Sequence, residues 1–327
     1  MIIEPTVLEL LQKHQHILCV SHVNPDGDAY GSLLGMGWIL RHLGKNPVLA
    51  MHDRTPSEFR QLPGSGQIIH AAGVANSYDL IICLDASSAD RMGSIFRPEA
   101  HSQLPLLVID HHITNTRFGT LNWVEPECAA TCQMLVYLAN ALHVPVTGPL
   151  AECLLTGLVT DTLGFRTSNT TPAVMEAAVQ LMHGGANLPS IVARTLSRRS
   201  VRVFHLWGMV LSDLHLEDGV IWVTITREQF QRAGTKDDGQ LSSLLVTATE
   251  ADISATFTEK IDEKGRSAVE CSFRAKPGFD VGALAFELGG GGHPPASGCT
   301  LLGTLAEVTP RVVDALKVLH QQTAAQQ

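Results

Sequence analysis

The chain has 327 residues, about two domains' worth at roughly 150 residues each, and its 45% hydrophobic and 17% charged residues exclude a disordered chain. Lys plus Arg number 23 against 32 Asp plus Glu, so the formal net charge is −9, the wrong sign for gripping long nucleic acid by its backbone. Any nucleic-acid substrate is therefore expected to be short or held through metal.

Short apolar runs and helical patterns alternate through the first half: Ile17 to Val20, Tyr30 to Leu43, Val48 to Met51, Leu80 to Leu84 and Leu106 to Ile109. Continuous short runs suit strands buried on both faces, and the βαβ opening implies a mainly parallel sheet. Between Thr131 and His183 the spacing of Met134, Leu135, Leu138 and Leu142, with Pro149 and Pro172 at first-turn positions, predicts an all-helical extension. Residues 188–214 read as a helical linker, and its arginines, Arg194, Arg198, Arg199 and Arg202, as a solvated face rather than a binding patch. From Gly219 the pattern predicts strands over Val220 to Thr226, Ile253 to Thr258 and Ser267 to Arg274, then helices near Val281 to Leu288 and Leu305 to His320. Val269, Cys271 and Phe273 alternate with Glu270, Ser272 and Arg274, which points Arg274 away from the core. The polar end, Gln321 to Gln327, is expected to fray. Trp38, Trp123, Trp207 and Trp222 read as core residues.

The seven cysteines are scattered and include no C-x-x-C pair, so neither a disulfide framework nor a zinc ribbon is suggested, and a reducing cytoplasm is the expected setting. The N-terminal residues show no basic region followed by a long apolar run, and no stretch approaches about 20 apolar residues; no membrane association is expected.

Chemistry concentrates where the strand signals end. Ser21-His22-Val23-Asn24-Pro25-Asp26-Gly27-Asp28 follows the first strand and opens the first helix. A His and two Asp within seven residues suit divalent ions such as Mn²⁺, although an Asp-Gly-Asp turn also reads as a simple helix cap. The run Leu80 to Leu84 ends in Asp85, Leu106 to Ile109 ends in Asp110-His111-His112, and an apolar helix runs into Asp161-Thr162. In parallel sheets, sites gather at the carboxyl ends of strands, and four such segments supply ligands for two ions. Two ions about 3.5–4 Å apart and bridged by a carboxylate would clamp a phosphate for in-line attack, with Asp85 the bridging candidate.

These four segments, together with Gly290-Gly291-Gly292-His293-Pro294-Pro295-Ala296-Ser297-Gly298 preceded by Ser272-Phe273-Arg274, resemble the motifs of the DHH phosphoesterase family and the glycine-rich signature of its associated C-terminal domain. The resemblance spans nearly the whole chain. It implies an α/β fold: a parallel-sheet DHH catalytic domain with a helical extension over 1–187, a helical linker over 188–214, and a smaller mixed α+β substrate-binding domain over 215–327. It implies that His22 and Asp26 hold one metal, that Asp28, His111 and Asp161 hold another, and that Asp85 bridges them, with two Mn²⁺ or other divalent ions as cofactors. His112 is implied to approach the scissile phosphate with Asp110 behind it. Arg274, Gly290, Gly291, Gly292 and His293 are implied to hold the nucleotide.

A two-domain chain of this length is similar to stand-alone nanoRNase/pAp phosphatases, which release nucleoside monophosphates from very short oligoribonucleotides such as pApA. Their C-terminal domain would then set substrate length. Two alternatives stand beside this: a cyclic di-AMP phosphodiesterase, and a non-catalytic nucleotide- or RNA-binding module. Retention of all six ligand-type residues weighs against the module. By analogy alone, a homodimer is expected. Ser297 stands where the signature usually has Ala, a small-for-small change.

Overall fold

The computed structural model describes residues 3–70, 78–262 and 264–325. They form two compact units, Met1–Arg198 and Arg199–Gln327.

The first unit is built on six parallel strands: β1 (His16–Val20), β2 (Asn46–Met51), β3 (Ile69–His70), β4 (Leu80–Leu84), β5 (Leu106–Asp110) and β6 (Leu121–Val124), in the order β3-β2-β1-β4-β5-β6. The chain leaves β1 toward β2 and β3, then returns to pair β4 against the other side of β1. The order therefore reverses between β1 and β4, the switch point beyond whose strand tips such sheets bind their ligands. Helices α1 (Pro5–Lys13), α2 (Gly27–His42), α3 (Pro98–His101), α4 (Thr131–Ala141), α5 (Pro149–Asp161), α6 (Pro172–His183) and α7 (Leu188–Val192) complete the unit. β4 and β5 are buried along their whole length, which is why they read as unbroken apolar runs. Helix α1 and strand β6 escaped the sequence pattern; β6, with only Trp123 fully inside, is too short and too polar to announce itself.

In the second unit α8 (Val201–Val210), α9 (Arg227–Ala233), α10 (Leu241–Leu245), α11 (Val281–Glu287) and α12 (Leu305–Ala324) accompany strands β7 (His215–Glu217), β8 (Val220–Ile225), β9 (Ile253–Ile261), β10 (Ser267–Ala275), β11 (Gly291–His293) and β12 (Ala296–Leu302). The sheet order is β11-β12-β10-β9-β8-β7, and only β8 and β9 run parallel. Both faces are covered. Val220, Phe257, Val269 and Phe273 pack with Val281 and Val312 on one side; Ile221, Val223 and Ile225 pack with Leu206, Val210, Leu241 and Leu245 on the other.

Several expectations change here. The stretch read as a linker is shared out: Ile191 joins the core of the first unit, while Leu206 and Val210 join that of the second, and the units divide at Arg198. Arg198 and Arg202 are exposed, as a solvated face requires, and Arg194, Arg199 and Arg202 also make local tethers. Arg194 pairs with Glu152 at 2.9 Å, Arg199 Nε donates to the Gly239 carbonyl at 2.8 Å, and Arg202 Nη1 to that of Gly234 at 3.1 Å. The C-terminal helix does not fray at Gln321 but continues to Ala324.

Candidate active site

The tips of β1 and β4 are tied by Ser21, whose hydroxyl donates to the Leu84 carbonyl at 2.9 Å. Asp85, the first residue past β4, takes the left-handed conformation (φ 59°), which costs a non-glycine residue about 1–3 kcal/mol and persists only where surroundings enforce it. Its N–H is held by the Ile109 carbonyl at 3.0 Å, and its carboxylate is almost fully buried.

The two Asp85 oxygens face different partners. Oδ2 lies 3.5 Å from His22 Nε2, which is itself 3.8 Å from Asp26 Oδ1. Oδ1 lies 3.5 Å from His111 Nε2, which is 3.9 Å from Asp28 Oδ2 and 3.3 Å from Asp161 Oδ2. Two nitrogen–oxygen donor groups, His22–Asp26–Asp85 and Asp28–Asp85–His111, thus share one carboxylate. All six residues expected to be metal ligands come together at the strand tips of the first unit.

Local structure fixes each of them. Asp26 does cap α2, its Oδ1 accepting from the N–H groups of Asp28 and Ala29 at 3.0 and 3.1 Å. The capping reading of that turn holds, and the capping oxygen is also the one that faces His22. Asp28 is anchored by the first turn of α4, through the N–H of Thr131 at 2.6 Å and of Cys132 at 2.9 Å. A Cβ on Gly157 would sit 2.5 Å from Asp28 Oδ1 and 2.3 Å from Cys132 Sγ, so the missing side chain lets α5 close on Asp28. Asp161 follows one turn later on the same helix face. The ring Nδ1 of His22 lies 2.8 Å from the Val23 carbonyl and that of His111 3.2 Å from the Cys128 carbonyl, which leaves each Nε2 turned toward the carboxylates.

The electrostatics show what this cluster lacks. Burial and the charge of Asp28 push the Asp85 carboxyl well above its ordinary value and that of Asp161 to about 8. Burial opposes protonation of His111, yet its bond to Asp161 and the surrounding carboxylates outweigh it and raise the ring to about 10. Asp85, Asp161 and His111 are thus all drawn toward their protonated forms where the carboxylates crowd together. Divalent cations at the two donor groups would replace those protons, and the mixed imidazole and carboxylate set suits them.

His112 is placed differently. Its Nδ1 lies 2.6 Å from Asp110 Oδ1, and Asp110, fully buried, accepts through Oδ2 from Asn115 Nδ2 at 2.5 Å. Asn115 also donates to the Ala86 carbonyl at 3.0 Å. Asn115 and Thr131, whose hydroxyl donates to Asp85 Oδ1 at 3.1 Å, were not singled out from sequence. Each is an ordinary polar residue, and only the strand pairing reveals what it touches.

In the second unit, the register aligns His293, Ala296 and Arg274 in one row across β11, β12 and β10. Cross-strand neighbours share a face, so Arg274 and His293 flank the small Ala296. Arg274 points away from the core that holds Phe273, as expected, but its face is not open: α10 covers it, and Arg274 Nε donates to Ser243 Oγ at 3.1 Å. Gly290 and Gly292 serve the hairpin, since a Cβ would come within 2.1 Å of the Gly298 carbonyl oxygen and 2.6 Å of the Ala296 carbonyl oxygen respectively. A Cβ on Gly291 meets nothing within 4 Å. Ser297 is absorbed by a bond to the Val281 carbonyl at 2.7 Å.

A parallel sheet carrying paired acidic and imidazole donors at its switch point, followed by a glycine-hairpin sheet, defines a DHH-type phosphoesterase. The DHH family N-terminal domain matches residues 16–158 and the DHHA1 domain residues 225–322. The chain belongs to the DHH family. It is 34% identical to the bifunctional oligoribonuclease and PAP phosphatase NrnA of Thermus thermophilus over 302 residues, 92% of this chain and 89% of that protein. It is 22% identical to the cyclic-di-AMP phosphodiesterase PdeA of Listeria monocytogenes, covering 96% of this chain and 49% of PdeA. Among solved structures, an exopolyphosphatase-related protein from Bacteroides fragilis superposes with a TM-score of 0.86 at 26% identity, covering 97% of this chain and 96% of that one. Among the described residues, no helix is long and apolar enough to cross a membrane.

Proposed function

We propose that this enzyme hydrolyses very short oligoribonucleotides such as pApA to nucleoside monophosphates and converts pAp to AMP. The observation that carries this is Asp85, which turns one oxygen to each of two donor groups. His22 and Asp26 would hold one Mn²⁺, Asp28, His111 and Asp161 the other, with Asp85 between them. When bound, the ions would lower the pKa of an attacking water and offset charge on the phosphate.

The remaining work falls to the chain. Asp110 accepts a hydrogen bond from the Nδ1–H of His112 and fixes the ring, leaving Nε2 to meet a phosphate oxygen as charge grows on it. Asp110 and Asn115 are positioning residues. Arg274 and His293, in one row over Ala296, would bind nucleotide phosphate or base in the second unit. The net charge of −9 supports a small substrate. The enzyme is expected to work in the cytoplasm, as a homodimer.

The similarity to PdeA supports a second reading, a cyclic di-AMP phosphodiesterase. AMP release from pApA, pAp and cyclic di-AMP, each with Mn²⁺ and with EDTA, separates them. Turnover of the linear substrates that EDTA and Asp85→Asn abolish is expected. Preference for the ring would favour the second reading. No turnover by folded, metal-loaded protein would point to a binding module instead.

A further inference from the structure

Arg91 stands beside the metal-type cluster and takes no part in the roles above. It lies in a 3₁₀ segment, Ala89–Ile95, directly after Asp85, and its backbone is locked: its carbonyl accepts from Val23 N–H at 2.7 Å and its N–H donates to Ser88 at 3.2 Å. The half-buried side chain reaches back so that Nη2 lies 3.0 Å from His22 Nδ1. Among the described residues no carboxylate lies within ion-pair distance of it, in contrast to Arg194, which is matched by Glu152.

The contact with His22 does not satisfy the guanidinium. With Nε2 serving as a ligand, Nδ1 carries the ring's one proton and gives it to the Val23 carbonyl at 2.8 Å. Arg91 then faces an N–H and has nothing there to donate to. The His22 contact engages Nη2 at most, and the other donors of the fork, at the edge of a cluster suited to phosphate chemistry, call for an anion. Asp85 Oδ2 turns to the His22 side, while Oδ1 lies 3.7 Å from His112 Nδ1. A phosphate over Asp85 would meet Arg91 on one flank and His112 on the other.

We infer that Arg91 is a substrate-binding residue, taking a non-bridging oxygen of the nucleotide's phosphate on the His22 side; this rests on the phosphoester reading above. The test is calorimetric titration of Mn²⁺ into the full chain, then of AMP into the Mn²⁺-loaded protein, for the wild type, Arg91→Gln and Arg91→Lys. Arg91→Gln is expected to leave Mn²⁺ affinity and stoichiometry unchanged and to weaken AMP about tenfold or more, with Arg91→Lys in between. Unchanged AMP affinity in Arg91→Gln overturns the inference. So does a fall in Mn²⁺ affinity that accounts for the AMP loss, since Arg91 would then only support His22. Should Arg91→Gln fail to fold, Arg91→Lys decides: it keeps the charge but loses the fork, and undiminished AMP affinity counts against the role. A wild type that binds Mn²⁺ yet neither binds AMP nor turns over any of the three substrates overturns the phosphoester reading, and this inference with it.

Discussion

The two units present polar groups from a sheet in opposite ways. In the first, the central strands β4 and β5 are buried along their whole length, so polar chemistry gathers at the carboxyl tips, and several side chains there are held by a further hydrogen bond: Asp28 by α4, His111 by Cys128, Asp110 by Asn115. In the second, Arg274 and His293 lie along the sheet, and their spacing is set by backbones that only glycine allows to approach. The first unit depends on the chemical identity of side chains, the second on the absence of them at a few positions.

The largest expected effect breaks that contrast on the first side. Asp85→Asn keeps the shape but removes a charge from both donor groups, so activity should fall on the order of a thousandfold or more while circular dichroism stays native. Bound Mn²⁺, measured on the desalted protein, should fall with it. On the second side, Gly290→Ala sets a Cβ 2.1 Å from the Gly298 carbonyl oxygen, and Gly298 is itself backbone that cannot swing away. Overpacking of this kind costs about 1–3 kcal/mol, read as a lower urea midpoint with Mn²⁺ binding preserved. Gly291→Ala, with nothing near its Cβ, should leave the midpoint in place and so controls for it.

A smaller effect probes the support behind the reacting groups. Asn115→Ala removes one of the two bonds that hold Asp110 against His112. The Asp110–His112 pair remains, so kcat should drop about tenfold while KM holds, in line with the usual worth of such outer partners. An equal fall in Mn²⁺ affinity would instead place Asn115 behind the metal ligands.

What could be read from sequence follows the same divide. Strand tips and the end of α5 announce themselves because apolar runs such as Leu80 to Leu84 stop at a residue type that is costly to bury, so Asp85, the Asp110-His111-His112 triplet and Asp161 stand out without coordinates. Asn115 and Thr131 carry no such contrast with their neighbours. Helix α2 begins at Gly27, where the Asp-Gly-Asp turn places its cap, although apolar periodicity alone starts only at Tyr30. Strand β12 was masked by its own glycine and serine, residues that read as loop but here give close packing on Cys271. Residues 188–214 are largely helical, as their spacing implies, but spacing does not say which core receives Leu206 and Val210.

The smallest prediction concerns a histidine outside the site. His101, almost wholly buried at the end of α3, accepts at Nδ1 from the Arg97 N–H at 3.1 Å, and among the described residues its Nε2 has no hydrogen-bond partner. Burial, aided by the Arg97 charge, lowers its pKa from 6.5. A histidine whose folded pKa lies below its unfolded one binds fewer protons when folded, so its contribution is intact above about pH 6.5 and is lost as pH falls toward the folded value. The first unit should therefore lose stability on acidification in that window. Asn at this position can offer Oδ1 where Nδ1 stands and does not titrate. The difference in Tm between the wild type and His101→Asn, taken at pH 7.5 and again at 5.5, cancels the titration of the metal cluster that both share. The wild type should fall by a few degrees more than the variant, about what one lost hydrogen bond is worth. Parallel Tm curves would mean that the ring is already free to take its proton in the folded chain.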